Sequence, residues 1–213
     1  MMSKPRCAWV TEDSIYIDYH DHEWGTLGIP PRPNLPQTML PSGSSSDTWQ
    51  QQHDDYLFEM LTLEGAQAGL SWLTILKRRE SYRQAFDHFD PSIVSQYKED
   101  TIQRLLQNKG IIRNELKIRS VVTNAQAFLN IQKEFGSFHS YIWQFMDGGD
   151  PLLNDWEAHE DVPASTKEST DMSKDLKKRG FKFVGPTICY AFMQATGMVN
   201  DHTKDCFLYH RKQ

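Results

Sequence analysis

Cysteine is scarce in this 213-residue chain, and no hydrophobic run is long enough to cross a membrane. The three cysteines are an odd number without close spacing, which argues against a disulfide framework and favours a reducing compartment. A spanning helix needs about 20 apolar residues, and the first residues lack the apolar core of a secretion signal. We therefore expect a cytoplasmic protein that makes no membrane contact and forms a single domain.

An excess of positive charge is also missing. The formal net charge is −5, which argues against indiscriminate binding of polyanions. About half of the 23 lysines and arginines nevertheless lie in three stretches, 77–83, 111–119 and 174–182. Each stretch alone is typical of a solvated helix face. Three of them beside glycine-containing loops favour contacts with phosphate groups.

Alternation of apolar and polar residues is rare, so the chain has little strand signal. Apolar residues recur at helical spacing from Leu57 onward, and the prediction is an all-α fold. Residues 26–55 break this pattern, because they hold five of the ten prolines together with serine and glutamine runs. We expect 26–55 to be a flexible insertion within one domain that spans 1–213.

Four residues with metal-binding side chains lie at the two ends of the chain. Cys7 and His20 are near the start, while His202 and Cys206 are four positions apart near the end, so that both can face one way from a helical turn. Thiolate and imidazole ligands favour Zn²⁺, and four protein ligands would make a closed, structural site. Ordinary core cysteines and surface histidines fit the same spacing. The neighbouring His22 also leaves a catalytic His-x-His site open.

The stretch LEGAQAGLSW, residues 63–72, places an acid among apolar residues. Glu64 precedes a run of small residues, and Trp72 follows eight positions later. A carboxylate buried among leucines must pair with a cation or with hydrogen-bond donors. A buried anion beside an aromatic ring would suit a flat, positively charged ligand. A surface glutamate beside a core tryptophan stays an open alternative.

Residues 108–122, NKGIIRNELKIRSVV, have the outline of a short helix, a glycine turn and a basic helix. A helix-hairpin-helix element of this kind can hold a phosphate with backbone amides and a helix N-terminus. Helix turns that contain glycine are common, so this pattern alone carries little weight.

In this order, these features resemble the type I 3-methyladenine DNA glycosylases, bacterial enzymes of base-excision repair. The resemblance covers nearly the whole chain outside 26–55. The matching stretches are CAWV (7–10), YIDYHDHEWG (16–25), LFEMLTLEGAQAGLSWLTILKRRESYRQAF (57–86), GIIRNELKI (110–118), KKRGFKFVGPTICYAFMQATGMVNDH (177–202) and Cys206.

The resemblance implies a helix-hairpin-helix glycosylase fold in which one structural zinc ion joins the two ends of the chain, a zinc snap. The implied zinc ligands are Cys7, His20, His202 and Cys206. The implied base pocket consists of Glu64, assigned to catalysis mainly through recognition and electrostatic stabilisation, and of Tyr16, Tyr19, Trp72, Trp9 and Trp24. Leu70 matches the residue that fills the gap left by the extruded nucleotide. The other residues expected at DNA are Gly69, Arg113, Lys117 and Lys182.

The implied function is hydrolytic excision of 3-methyladenine from alkylated double-stranded DNA, without lyase activity or a redox cofactor. Free 3-methyladenine is the expected product, 3-methylguanine is a second base to consider, and a monomer is expected. A non-catalytic DNA-binding module would be expected to have lost a pocket residue, yet none is missing. A metallohydrolase built on His20 and His22 would need an open zinc position. Two departures from the family are the length of 26–55 and the acid Glu115 in the hairpin turn.

Overall fold

The computed structural model describes residues 4–25 and 46–209, and this part of the chain is mostly helical. One hydrophobic core extends from Cys7 to Leu208. The ten α-helices of the described residues are α1 (Ser14–His22), α2 (Ser46–Gln67), α3 (Trp72–Leu76), α4 (Arg79–Ala85), α5 (Pro91–Val94), α6 (Glu99–Gln107), α7 (Glu115–Phe135), α8 (Phe138–Ile142), α9 (Lys167–Lys178) and α10 (Pro186–Ala195).

Short polar side chains begin several of these helices. The carboxylate of Asp13 accepts from the amide of Ile15 at the start of α1, and the hydroxyl of Ser71 accepts from Thr74 at the start of α3. Asn114 caps α7 by accepting from Lys117, and Thr166 caps α9. Because these caps satisfy amides that have no partner within the helix, they fix where each helix begins.

Helix α2 lies at the centre of the core. Its residues Phe58, Met60 and Leu63 are fully buried, and the helix packs against α3, α7, α8 and α10. The buried carboxylate of Asp54 accepts from the amides of Phe138 and His139, which fastens α2 to the start of α8. The central helix therefore has a fixed position relative to the helices around it.

Strands are minimal in the described part of the chain, which confirms that the fold is mostly helical. Leu152–Leu153 forms β1 and pairs in parallel with Val199–Asn200, which forms β2. This ladder holds the segment after residue 150 against the chain that leads to His202. No helix among the described residues is long and apolar enough to span a membrane.

The start of α2 lies inside the segment 26–55 that the sequence predicts to be an insertion. The helix begins at Ser46, so residues 46–55 continue directly into the apolar helix that carries Glu64. Residues 46–55 contain no proline or glycine. Their mostly polar side chains are compatible with a helix because the rest of α2 packs into the core. Residues 26–45 lie outside the described part of the chain.

Candidate active site

A cavity of about 160 Å³ opens between the N-terminal helices and α10. Half of its residues come from α1, from the end of α2 through the start of α3, and from the chain around Asp201. The lining residues are Cys7, Trp9, Tyr16, Tyr19, Trp24, Glu64, Gln67, Trp72, His159, Val162, Ala191, Gln194, Asp201 and Thr203. The structure thus brings together all six residues that the family resemblance assigns to a base pocket.

Glu64 is buried at the end of α2, with 3% of its surface exposed. Burial raises the pKa of its carboxyl group from 4.5 to about 8. Its Oε2 atom has no hydrogen-bond partner among the described residues. An unpaired carboxylate oxygen in an apolar site costs free energy, and a ligand that donates a hydrogen bond or carries positive charge would remove that cost.

Aromatic rings form the walls around this carboxylate. The rings of Tyr19 and Trp72 are 5.5 Å apart between centroids, and Trp9 lies 5.0 Å from both Tyr16 and Trp24. The indole Nε1 of Trp72 is buried and also lacks a hydrogen-bond partner among the described residues. These packed rings surround a space whose shape and apolar surface suit a planar molecule.

Positive charge is absent from the cavity lining, as far as the described residues extend. No lysine or arginine lines the cavity, whereas two carboxylates, Glu64 and Asp201, do. When Glu64 is ionised, this cavity with aromatic walls favours a flat cation, since π faces and carboxylates both attract positive charge.

The four expected metal ligands converge directly behind this cavity. One donor atom from each of Cys7, His20, His202 and Cys206 lies within 4.8 Å of the others, and all four residues are buried. The Sγ of Cys206 lies 3.4 Å from His20 Nε2 and 3.5 Å from His202 Nδ1. Tetrahedral zinc with its usual bond lengths gives sulfur–nitrogen separations of about 3.6 Å. The donor set and its spacing therefore fit one closed zinc site.

A carboxylate orients one of these histidines. The Nδ1 of His20 lies 2.9 Å from Asp21 Oδ1, so Nε2 is the atom that faces the cluster. Arg6 donates to both oxygens of Asp21 at 2.7 and 2.6 Å, and this pairing lowers the pKa of Asp21 to about 2. A carboxylate behind a histidine ligand fixes the ring and its tautomer. The sequence interpretation gave Asp21 no role.

His22 lies away from the metal cluster. Its side chain is 74% exposed and pairs with Asp18 on the surface of α1. A His-x-His site would need His20 and His22 to face the same point, and they do not. The geometry therefore gives no support to the metallohydrolase alternative.

The loop between α2 and α3 carries two residues expected to contact DNA. Gly69 has a φ of +79°, which a side chain would strain, and it turns the chain toward Leu70. Leu70 is 40% exposed, an unusual position for a large apolar side chain. Leu70 therefore lies on the surface of the loop that follows Glu64 and precedes Trp72. Its side chain is accessible there for insertion into a DNA duplex.

Residues 108–114 form the turn between α6 and α7, so the short helix of the expected hairpin lies before residue 108 and not within 108–122. Arg113 and Lys182 are exposed. Lys117 is directed elsewhere, since its Nζ donates to the carbonyls of Ala66 and Ala68 at 2.8 and 2.7 Å. Glu115 pairs with Arg119, which offsets the acid in this turn.

Asp201 is a further lining residue that the sequence interpretation missed. Its carboxylate is buried and accepts four hydrogen bonds, from Asn154, Trp156, Tyr190 and Gln194, at 2.6 to 2.8 Å. These bonds join α10 to the segment after β1 and hold one wall of the cavity. Its position beside His202 in the motif NDH was a signal, but the donors lie too far away in sequence to be recognised.

Comparison with known proteins identifies the same family as the sequence resemblance. A family model described as methyladenine glycosylase matches residues 46–209. DNA-3-methyladenine glycosylase 1 of Escherichia coli (strain K12) is 44% identical over 204 residues, covering 96% of each chain. The DNA-3-methyladenine glycosylase of Haemophilus influenzae is 44% identical over 201 residues, covering 94% of this chain and 96% of the relative.

Solved structures with similar folds cover nearly the whole chain. A crystal structure of 3-methyladenine DNA glycosylase I has a TM-score of 0.81 at 45% identity and covers 96% of this chain and 99% of its own. The Y16F variant of a 3-methyladenine DNA glycosylase I in complex with 3-methyladenine has a TM-score of 0.81 at 34% identity, covering 98% of this chain and 99% of its own.

Proposed function

Because the chain belongs to the methyladenine glycosylase family, we propose that it hydrolyses the bond between 3-methyladenine and deoxyribose in alkylated DNA. The observation that carries this proposal is the buried Glu64, whose Oε2 has no hydrogen-bond partner among the described residues inside an aromatic cavity. Methylation at N3 gives adenine in DNA a positive charge and leaves it planar. The cavity has the complementary charge and shape.

The base must leave the duplex before it can reach Glu64. Extruding a nucleotide costs a few kcal/mol, and less for a damaged base. Leu70 occupies the gap in the stack, while Trp72 and the tyrosines hold the flipped ring. Stacking on an aromatic side chain is worth about 1–3 kcal/mol per base. Glu64 then binds the exposed edge of the base and opposes its charge.

Hydrolysis proceeds with a good leaving group. The bond between C1′ and the base nitrogen breaks, and its electron pair neutralises the cationic base, which departs as 3-methyladenine. Water adds to the sugar carbon and releases one proton, which leaves an abasic site. We assign Glu64 to binding and electrostatic stabilisation, because the leaving group carries its own charge and needs little acid catalysis.

We also propose that one zinc ion is held by Cys7, His20, His202 and Cys206. The support is the distance between each sulfur and nitrogen and the fixed orientation of His20. When bound, zinc supplies a structural crosslink, since four protein ligands leave no position for a substrate or water. The residues of the cluster thereby join the first described helix to the end of the chain.

The remaining expectations belong to the same proposal. The chain acts as one glycosylase domain, supported by the single core that links Cys7 to Leu208. It acts as a monomer on double-stranded DNA, with Gly69, Leu70, Arg113 and Lys182 at the interface. A bacterial cytoplasmic location fits two bacterial relatives that are named DNA-3-methyladenine glycosylases.

Release of free base from methylated DNA tests this function. Duplex DNA treated with a methylating agent contains 3-methyladenine and the more abundant 7-methylguanine, and chromatography separates the two free bases. The protein should release 3-methyladenine and leave 7-methylguanine in the DNA. Release of neither base at high enzyme concentration would favour the non-catalytic DNA-binding alternative.

A further inference from the structure

Lys117 has partners that a phosphate-binding lysine would not have. Its Nζ donates to Ala66 O at 2.8 Å and to Ala68 O at 2.7 Å. These carbonyls lie at and just beyond the end of α2, where the helix dipole places partial negative charge. Partial burial lowers the pKa of this ammonium group. The cation of Lys117 thus completes the end of a helix within the protein.

The segment held by Lys117 has the pocket on one side and the expected DNA wedge on the other. Glu64 lies two residues before Ala66, and Leu70 lies two residues after Ala68. The loop itself has few other restraints, among them the bond from the Leu70 amide to Gln67 O. An added side chain at Gly69 would meet no atom within 4 Å, which shows that the loop stands in open space.

Lys117 itself belongs to the hairpin formed by α6, residues 108–114 and α7. The amide of Ile112 donates to the Tyr82 hydroxyl at 3.1 Å, and a Cβ on Gly110 would meet the Ser81 side chain at 2.8 Å. The turn is therefore packed tightly on α4. Leu116, beside Lys117, is 71% exposed, so this first turn of α7 also faces away from the core. A rigid, outward-facing hairpin can transmit its position on DNA through Lys117.

We propose that Lys117 is a positioning residue that fastens the Leu70 loop and the end of α2 to the hairpin. Docking of the hairpin on the DNA backbone then sets the place of Leu70 in the stack and of Glu64 at the flipped base. This inference rests on the proposed function and changes the expected role of Lys117 from a phosphate contact to an internal brace. Arg113, exposed in the same hairpin, keeps the role of phosphate contact.

Salt dependence of DNA binding separates these two roles. The probe is a duplex with a tetrahydrofuran abasic analogue opposite 2-aminopurine, whose fluorescence reports how the gap is filled. Arg113→Met should weaken binding and reduce the salt slope by about one unit, as loss of one phosphate contact does. Lys117→Met should leave the salt slope at the wild-type value but alter the fluorescence of the bound duplex.

Excision completes the test. With enzyme in excess and DNA saturated, Lys117→Met should slow release of 3-methyladenine by about tenfold or more, since small misplacements of catalytic groups have effects of this size. Lys117→Arg keeps a cation that can reach both carbonyls and should restore most of the rate. Thermal unfolding of each variant shows whether a lower excision rate comes from misfolding. If Lys117→Met is misfolded, the rate of the Lys117→Arg variant alone tests the proposal.

Two results would overturn the inference. One is a salt slope that falls by about one unit in Lys117→Met with an unchanged rate at saturation, which would make Lys117 an ordinary phosphate contact. The other is wild-type behaviour of Lys117→Met in slope, fluorescence and rate. Absence of base release by the wild-type protein would refute the proposed function instead, and the fluorescence comparison would still test the brace.

Discussion

Trp24 stands edge-on against the ring of His202, with ring centroids 4.8 Å apart and planes at 89°. On the same indole, His20 stacks with its centroid 6.2 Å away. Trp24 lines the cavity, whereas both histidines belong to the metal cluster. The cavity wall therefore rests directly on two of the proposed zinc ligands, so loss of a bound zinc should disturb the cavity through direct contacts.

Zinc content is the first expected outcome. Purified protein should contain about one zinc per chain, because two cysteine thiols and two histidine rings converge at a spacing that fits tetrahedral zinc. Cys206→Ala should lose the metal and lower the unfolding temperature. His22→Ala, which changes an exposed histidine two residues after His20, should retain both. Metal analysis measures the zinc content, and thermal unfolding measures the stability. A wild-type protein that is fully stable without metal would contradict the site.

Asp21 should tune the affinity of that site. Asp21→Asn removes the carboxylate that orients His20 but leaves all four ligands in place. Loss of such a partner typically weakens metal affinity about 10- to 100-fold. Asp18→Asn is the matched control, since Asp18 pairs with the exposed His22. Competition with a chromogenic chelator gives both affinities, and equal values for the two variants would remove Asp21 from the metal site.

Glu64 should make stability depend on pH. Its folded pKa of about 8 lies above the ordinary 4.5, so the folded protein holds this proton more tightly than the unfolded chain. The stabilising effect of the protonated form is complete below pH 4.5 and is lost as pH rises to about 8, by a few kcal/mol in total.

The side chain in the Glu64→Gln variant cannot ionise, so this variant should not lose stability as pH rises from 4.5 to about 8. Chemical unfolding at pH 5 and pH 8 should therefore show a smaller change in the variant than in the wild-type protein, with the variant more stable at pH 8. Glu80→Gln, which changes an exposed side chain of α4, serves as the control for a general effect of removing one acid. Identical pH profiles in wild-type protein and Glu64→Gln would mean that Glu64 is ionised at ordinary pH.

The same group should shape the pH dependence of excision. The carboxylate is the form that binds a cationic base, so kcat/KM should rise as pH increases through about 8, the pKa of the free protein. Glu64→Gln should show a lower and flatter profile. Steady-state rates on methylated DNA between pH 6 and pH 9 measure both. A wild-type profile that falls over this range would contradict the role of the ionised carboxylate.

Local features of the fold were readable from sequence. Ser71 and Thr166 lie within a few residues of the amides that they cap, and such short-range patterns predict helix starts directly. The family resemblance supplied the expected pocket, and the structure places all six residues around one cavity. The direction of Glu64, with one oxygen unpaired among the described residues, needed coordinates.

Long-range polar contacts were beyond the sequence pattern. The donors to Asp201 come from positions 45 and 47 residues away as well as from α10, and nothing local marks them as partners. Lys117 lies in a basic stretch, so charge alone predicted a phosphate contact. Its ammonium group turns inward because two carbonyls at the end of α2 lie within reach, which depends on how α2 and α7 pack.

Release of free 3-methyladenine by three proteins, the wild type, Glu64→Gln and Glu80→Gln, tests whether this chain excises the base with the help of Glu64. Methylated duplex DNA is incubated with excess enzyme, and chromatography quantifies the free base over time. Wild type and Glu80→Gln should release the base at similar rates. Glu64→Gln, which folds normally, should be slower by about tenfold to a hundredfold, the effect of losing one hydrogen bond to a charged group. Equal release by all three proteins would contradict this role of Glu64.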